Sequence, residues 1–178
     1  GNNSFKGNLI GTSFDGIQPL GNCQTGITSA GNLNTSIGSI TLNGRNTISD
    51  NGFDAIQCGF NVSFLLPLSG GCVIAGNNIG TDVTGNVAIP NDQRNGCVGF
   101  CILTNTVWVT PSPIDFAIIG SPGGTTPGGD CTGFCNLISG NYSQTTGGGG
   151  VYRSGFGFAL IVNNYLGVNR AGTAALPN

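Results

Sequence analysis

One sixteen-residue block occurs three times without a gap, and no other feature limits the fold as strongly. It reads GNLIGTSFDGIQPLGN from Gly7 to Asn22, GNNIGTDVTGNVAIPN from Gly76 to Asn91, and NNYLGVNRAGTAALPN from Asn163 to Asn178. Every copy shares a second-position asparagine (Asn8, Asn77, Asn164), two glycines (Gly11 and Gly16, Gly80 and Gly85, Gly167 and Gly172) and a final asparagine (Asn22, Asn91, Asn178). The aliphatic positions match too, at Ile10, Ile79 and Leu166 and again at Leu20, Ile89 and Leu176. A second motif alternates with the first: Ile37-Gly-Ser followed by Arg45-Asn-Thr-Ile-Ser-Asp-Asn51, and Ile119-Gly-Ser followed by Cys135-Asn-Leu-Ile-Ser-Gly-Asn141. The copies are unequally spaced, which tells against a propeller of equal blades. A solenoid, whose insertions become loops on one side, accommodates them.

Short segments rich in β-branched or aromatic residues lie between Gly, Asn and Pro, such as 46–49, 72–75, 106–110 and 158–162, and they predict strands rather than helices. The 33 glycines and 22 asparagines suit a coil that turns a corner every few residues, because both residues tolerate left-handed backbone. Asparagines at one corner of successive turns are placed to hydrogen-bond along the axis, as amide ladders do in cross-β stacks. The aliphatic content and the small net charge of −2 argue against disorder. At 178 residues the chain makes a single domain over 1–178, with a loop-rich insertion around 92–135.

The alternation of G-N-x-I-G-T…L/I-P-N with R-N-x-I-S-x-N resembles the right-handed parallel β-helix repeats of large bacterial secreted and surface proteins, which share the architecture of pectate lyases. The resemblance implies an all-β, right-handed parallel β-helix, a β-solenoid of about six or seven rungs spaced about 4.8 Å apart, with loop insertions. It also implies that the chain stands alone or is a segment of a longer repeat array. The repeated positions Asn8, Gly11, Gly16, Asn77, Gly80, Gly85, Asn164, Gly167 and Gly172 become structural corner residues.

Composition narrows the chemistry. His, Met and Glu are absent and charged residues make up only 7%, which removes His-activated nucleophiles, the HExxH metal helix and an imidazole base. Five basic residues against seven acidic ones cannot make the phosphate contacts that nucleic-acid binding requires, so nucleic acid is not expected as a partner. No membrane span is expected, since no apolar run approaches about 18 residues; nor is a metal, because the cysteines lack C-x2-C or His-assisted zinc spacing, and no cofactor is expected. Seven cysteines (Cys23, Cys58, Cys72, Cys97, Cys101, Cys131, Cys135) are many for a reducing compartment and are candidates for disulfides that staple loops or adjacent rungs. The odd count leaves one over, and the spacing leaves the pairing open. Asn2, Asn34, Asn61 and Asn141 stand in N-x-S/T sequons, candidate glycosylation sites of a secreted protein.

Catalysis would fall to Asp50 with Asp54, or to Asp92 near Arg94, yet both settings read as turns in which Asp bonds its own backbone. Asp82 lies inside the repeat where the other copies have Ser13 and Asn169, again a turn requirement. The sequence lacks the paired Asp-Asp and Gly-His-Gly of the pectinolytic relatives, and no catalytic residue is assigned. Trp108 and Tyr152 are the aromatic residues best placed to meet a sugar; the Phe residues beside Gly, including Phe134, are expected to stack in the core. The expectation is a non-catalytic extracellular or cell-surface solenoid, a fibre subunit stacking head to tail through its ends or part of an adhesin. The runner-up is a carbohydrate-active enzyme or carbohydrate-binding module, with a polysaccharide partner.

Overall fold

In the computed structural model the described residues are 2–30, 34–60, 71–91, 107–109, 116–122, 128–141, 149–154 and 157–178. Their strands follow one another in groups of three. The chain runs through β1 (Asn2–Phe5), β2 (Leu9–Ile10) and β3 (Ile27–Ala30), then β4 (Asn34–Ile37), β5 (Asn46–Ile48) and β6 (Ile56–Phe60). It continues through β7 (Gly71–Ile74), β8 (Asn77–Ile79) and β9 (Val107–Val109), then β10 (Phe116–Ile119), β11 (Leu137–Ile138) and β12 (Val151–Arg153), and closes with β13 (Phe158–Ile161) and β14 (Tyr165–Leu166). Each strand pairs in parallel with the strand three places on, which gives three sheets, β1-β4-β7-β10-β13, β2-β5-β8-β11-β14 and β3-β6-β9-β12. The fold is all-β and solenoid-like, built from parallel sheets.

The longest sheets hold five strands among the described residues. Strands β9 and β10 lie within the 92–135 stretch that the sequence suggests is loop-rich, so two of the three sheets run through it.

Alternation along each short strand puts one residue in two inward. In register, Phe5, Ile37, Ile74, Ile119 and Ile161 form one column, and Ile10, Ile48, Ile79, Ile138 and Leu166 a second. Ile27, Ile56, Val107 and Val151 form a third. Ile37, Ile48, Ile56, Ile74, Ile79, Val107, Ile119 and Ile138 are completely buried. Among the described residues Phe5 is the aromatic that packs against the main core, at the end of the first column. Phe134, expected inside, is 39% exposed, because the interior of the columns is filled by Ile and Val, and the other Phe residues expected there, Phe60, Phe100 and Phe156, have side chains outside the described residues.

The sixteen-residue block has one local structure, repeated. After β2, β8 and β14 the chain folds back as a short arm, closed by antiparallel bridges Thr12–Pro19, Thr81–Ala88 and Val168–Ala175. The arm needs left-handed backbone at its two invariant glycines: φ is +79, +82 and +73° at Gly11, Gly80 and Gly167, and +74, +76 and +68° at Gly16, Gly85 and Gly172. Successive arms touch, with Val83 N–H donating to Gly16 O (2.9 Å) and Arg170 N–H to Gly85 O (3.0 Å). The block thus recurs on alternate strands of its sheet, and the second motif supplies β5 and β11 between them.

Candidate functional site

Two corners of the fold carry unbroken asparagine ladders. In the first, Asn8 Nδ2 donates to Asn46 Oδ1 (3.0 Å), Asn46 to Asn77 (2.9 Å), Asn77 to Asn136 (2.9 Å) and Asn136 to Asn164 (2.8 Å). The second links Asn22 to Asn51 (3.0 Å), Asn51 to Asn91 (2.9 Å), Asn91 to Asn141 (2.9 Å) and Asn141 to Asn178 (3.0 Å). The remaining amide hydrogen reaches a strand-end carbonyl of the preceding layer: Asn77 to Ile37 O, Asn136 to Ile74 O, Asn91 to Ile48 O, Asn141 to Ile79 O. Backbone N–H groups of Asn77, Asn51 and Asn91 donate to the next asparagine's Oδ1 as well. Buried amides cost stability only when unpaired, and here periodicity pairs them. Interior members Asn46, Asn77, Asn136, Asn51, Asn91 and Asn141 are at most 2% exposed.

Asn141, one of the sequon asparagines, is therefore a ladder member, and a glycan on it would have to pull its amide out of the stack. Asn2 and Asn34 are exposed, and Asn61 lies outside the described residues. Cys58 bonds Cys72 and Cys131 bonds Cys135, the first joining β6 to β7 and the second closing the loop ahead of β11. Cys23 is disulfide-bonded as well; Cys97 and Cys101 lie outside the described residues.

The acidic candidates divide. Asp50 has left-handed backbone (φ 55°) and accepts the Gly21 N–H at 2.8 Å, while burial pushes its carboxyl above the usual value and the Gly21 bond opposes that shift. Asp54 is buried, at 4% exposure. Asp92 and Arg94 lie outside the described residues. Asp82 caps its arm by accepting the N–H groups of Asn86 (3.0 Å) and Val87 (3.1 Å), the same duty that Ser13 Oγ and Asn169 Oδ1 perform in the other arms. Tyr152, 40% exposed, is the cross-strand partner of Trp108. No group of three potential metal ligands occurs among the described residues.

One polar site went unnoticed in the sequence. Arg45 precedes β5 and is only 8% exposed. Its Nε donates to Asn78 Oδ1 (3.3 Å), and its Nη2 donates to Asn77 O (3.0 Å) and to Cys135 O (2.9 Å). From the third arm, Arg170 reaches the same Asn78 Oδ1 (3.2 Å) and Val83 O (3.0 Å). Its Nε is buried without a partner. Desolvation first, and then the positive charge of Arg170, lower Arg45 to about 10; Arg170 is lowered mainly by desolvation, with Asp130 and Asp82 opposing. Neither guanidinium forms an ion pair with a carboxylate among the described residues. Together they line a cleft of about 340 Å³. The available signal was departure from the repeat: Arg45 stands where the second motif's other copy has Cys135, and Arg170 where the other arms have Phe14 and Val83.

Fold and sites together define a class: an all-β protein of parallel sheets whose repeated asparagines form axial ladders. No family model, curated protein or solved structure matches the chain.

Proposed function

We propose that the protein is a non-catalytic structural solenoid of the extracellular or cell-surface environment, acting as a fibre subunit or as a segment of an adhesin. The reading includes a right-handed winding like that of pectate-lyase-type β-helices, which the strong preference of parallel crossover connections supports. The ladders carry it. Every ladder asparagine below the last layer donates in the same axial direction, so the stack is polar, and the layer holding β1 and β2 offers the Oδ1 acceptors of Asn8 and Asn22. In the layer holding β13 and β14, Asn178 keeps one amide hydrogen, while Asn164 Nδ2 bonds Ile119 O (2.8 Å) and Val162 O (2.9 Å) and would share the latter hydrogen with a further layer, as Asn141 shares its amide between Ser139 O and Asn178 Oδ1. Acceptor edge and donor edge are complementary, and a further turn of the same repeat, in the same polypeptide or a second copy, continues both ladders. Such contact between unlike edges builds an open filament. The disulfides are compatible with an oxidising compartment.

Sedimentation velocity and negative-stain imaging of the native protein test this. Elongated, concentration-dependent assemblies, or long unbranched rods containing this segment, are expected, and replacing both Asn8 and Asn22 by Leu should shorten them. Compact monomers at every concentration would overturn the proposal.

A further inference from the structure

We propose that the cleft lined by Leu9, Thr47 and Asn78 of the second sheet, and by Val83 and Arg170 of the second and third arms, binds the carboxylate of a small organic acid held by Arg170 beside the buried Arg45. The charge balance motivates this. Burying an unpaired guanidinium is unfavourable, and the acceptors that Arg45 has, the carbonyls of Asn77 and Cys135 and the amide oxygen of Asn78, carry only partial charge. A second guanidinium sharing that amide oxygen adds repulsion, which an anion would convert into attraction. Arg45 is well supplied with hydrogen-bond acceptors, so it sets the field; Arg170, half-buried on an arm, has Nη2 engaged by Asn78 Oδ1 and Val83 O and Nε buried, which leaves Nη1 to donate to an oxyanion in the cleft.

The surroundings select among anions. Asp82 and Asp130 act electrostatically on Arg170 and offset part of the double positive charge, which favours a monoanionic carboxylate over a phosphate dianion. Thr47 and Asn43 add polar groups to the lining, while Leu9 and Val83, about 40% exposed, give apolar walls for the body of the ligand. A volume of about 340 Å³ lies at the small end of ligand sites, the size of a single-ring acid.

Calorimetric titration of the full chain with sodium glucuronate at low salt, beside separate titrations with inorganic phosphate and glucose, tests the assignment. Expected are saturable one-to-one binding of glucuronate, weaker phosphate binding and no response to glucose. Arg170→Gln should weaken glucuronate roughly tenfold or more, with its ligand-free unfolding midpoint measured beside it because the bonds to Asn78 Oδ1 and Val83 O go too. Arg170→Lys should fall between that variant and the parent, because it keeps the charge and loses the guanidinium that bonds Asn78 Oδ1 and Val83 O while presenting Nη1. Asp130→Asn, at an exposed residue whose charge acts on Arg170, should tighten glucuronate and narrow the gap to phosphate. The proposal is overturned by absent glucuronate binding, by phosphate binding tighter than glucuronate, by an equal response to glucose, or by unchanged affinity in Arg170→Gln or Arg170→Lys. Should Arg170→Gln lower the unfolding midpoint, the Asp130→Asn titration decides, and unchanged affinity there also overturns it.

Discussion

The middle and last copies of the sixteen-residue block are the same structure in two settings. In the middle copy Asn77, Ile79 and Asn91 are at most 1% exposed, and a side chain added at Gly80 would strike Asn141 at 2.1 Å. In the last copy Leu166 is 46% exposed, Asn164 and Asn178 are only half-buried, and the nearest atom to a side chain added at Gly167 is 3.9 Å away. The arm bridges and backbone angles hardly differ. The repeat therefore specifies the local shape, whereas stacking on both sides sets how much each residue contributes, as nearest-neighbour coupling in solenoids requires.

The sharpest break in that contrast is at the asparagines. Asn77→Leu strips Ile37 O of a donor and Asn46 Nδ2 of an acceptor in a dry interior, and should cost about 3 kcal/mol or more in urea unfolding. Asn8→Leu, exposed at the first layer, should cost less than about 1 kcal/mol. Equal losses would mean that the amides act locally and not as a ladder. The glycines come next. Gly167→Ala bears only the left-handed backbone penalty, about 1 kcal/mol, while Gly80→Ala adds a collision with the second ladder and should lose clearly more.

The smallest effect concerns the second motif, where Asp50 and Gly140 are equivalent and both left-handed, at φ 55 and 74°. Asp50→Asn keeps tolerance of that backbone and an acceptor for Gly21 N–H, and it removes a partly desolvated charge. Because burial raises the folded carboxyl above its ordinary 3.8, the folded state holds its proton more tightly, and stability falls as pH rises through that interval. The variant should be the more stable at pH 7 and lose its advantage below the ordinary value. An advantage that persisted at low pH would assign the effect to backbone rather than charge.

Much of this was legible because repetition makes one-dimensional spacing equivalent to three-dimensional register. All ten ladder asparagines occupy repeated motif positions, and the segments around 46, 72, 107 and 158 become β5, β7, β9 and β13. The arginine cleft was not legible. Arg45 and Arg170 are far apart in the chain and meet only because arms on alternate layers stack, a consequence of the fold that no local pattern carries. Phe134 misled for a related reason: hydrophobicity and its place beside Gly mark it for burial, but the interior of the columns between the sheets is filled by Ile and Val, which leaves Phe134 39% exposed.

A double-mutant cycle on Asn8 and Asn46, with Asn8 and Asn51 as the control pair, tests the ladders most directly. Asn8 and Asn46 are bonded across 38 residues of sequence, whereas Asn51 belongs to the other ladder. Alanine replacements at Asn8 and Asn46 should show a coupling of about 1 kcal/mol in urea unfolding and the control pair none. Coupling between Asn8 and Asn46 no larger than in the control would contradict the ladder and the stacking of turns that depends on it.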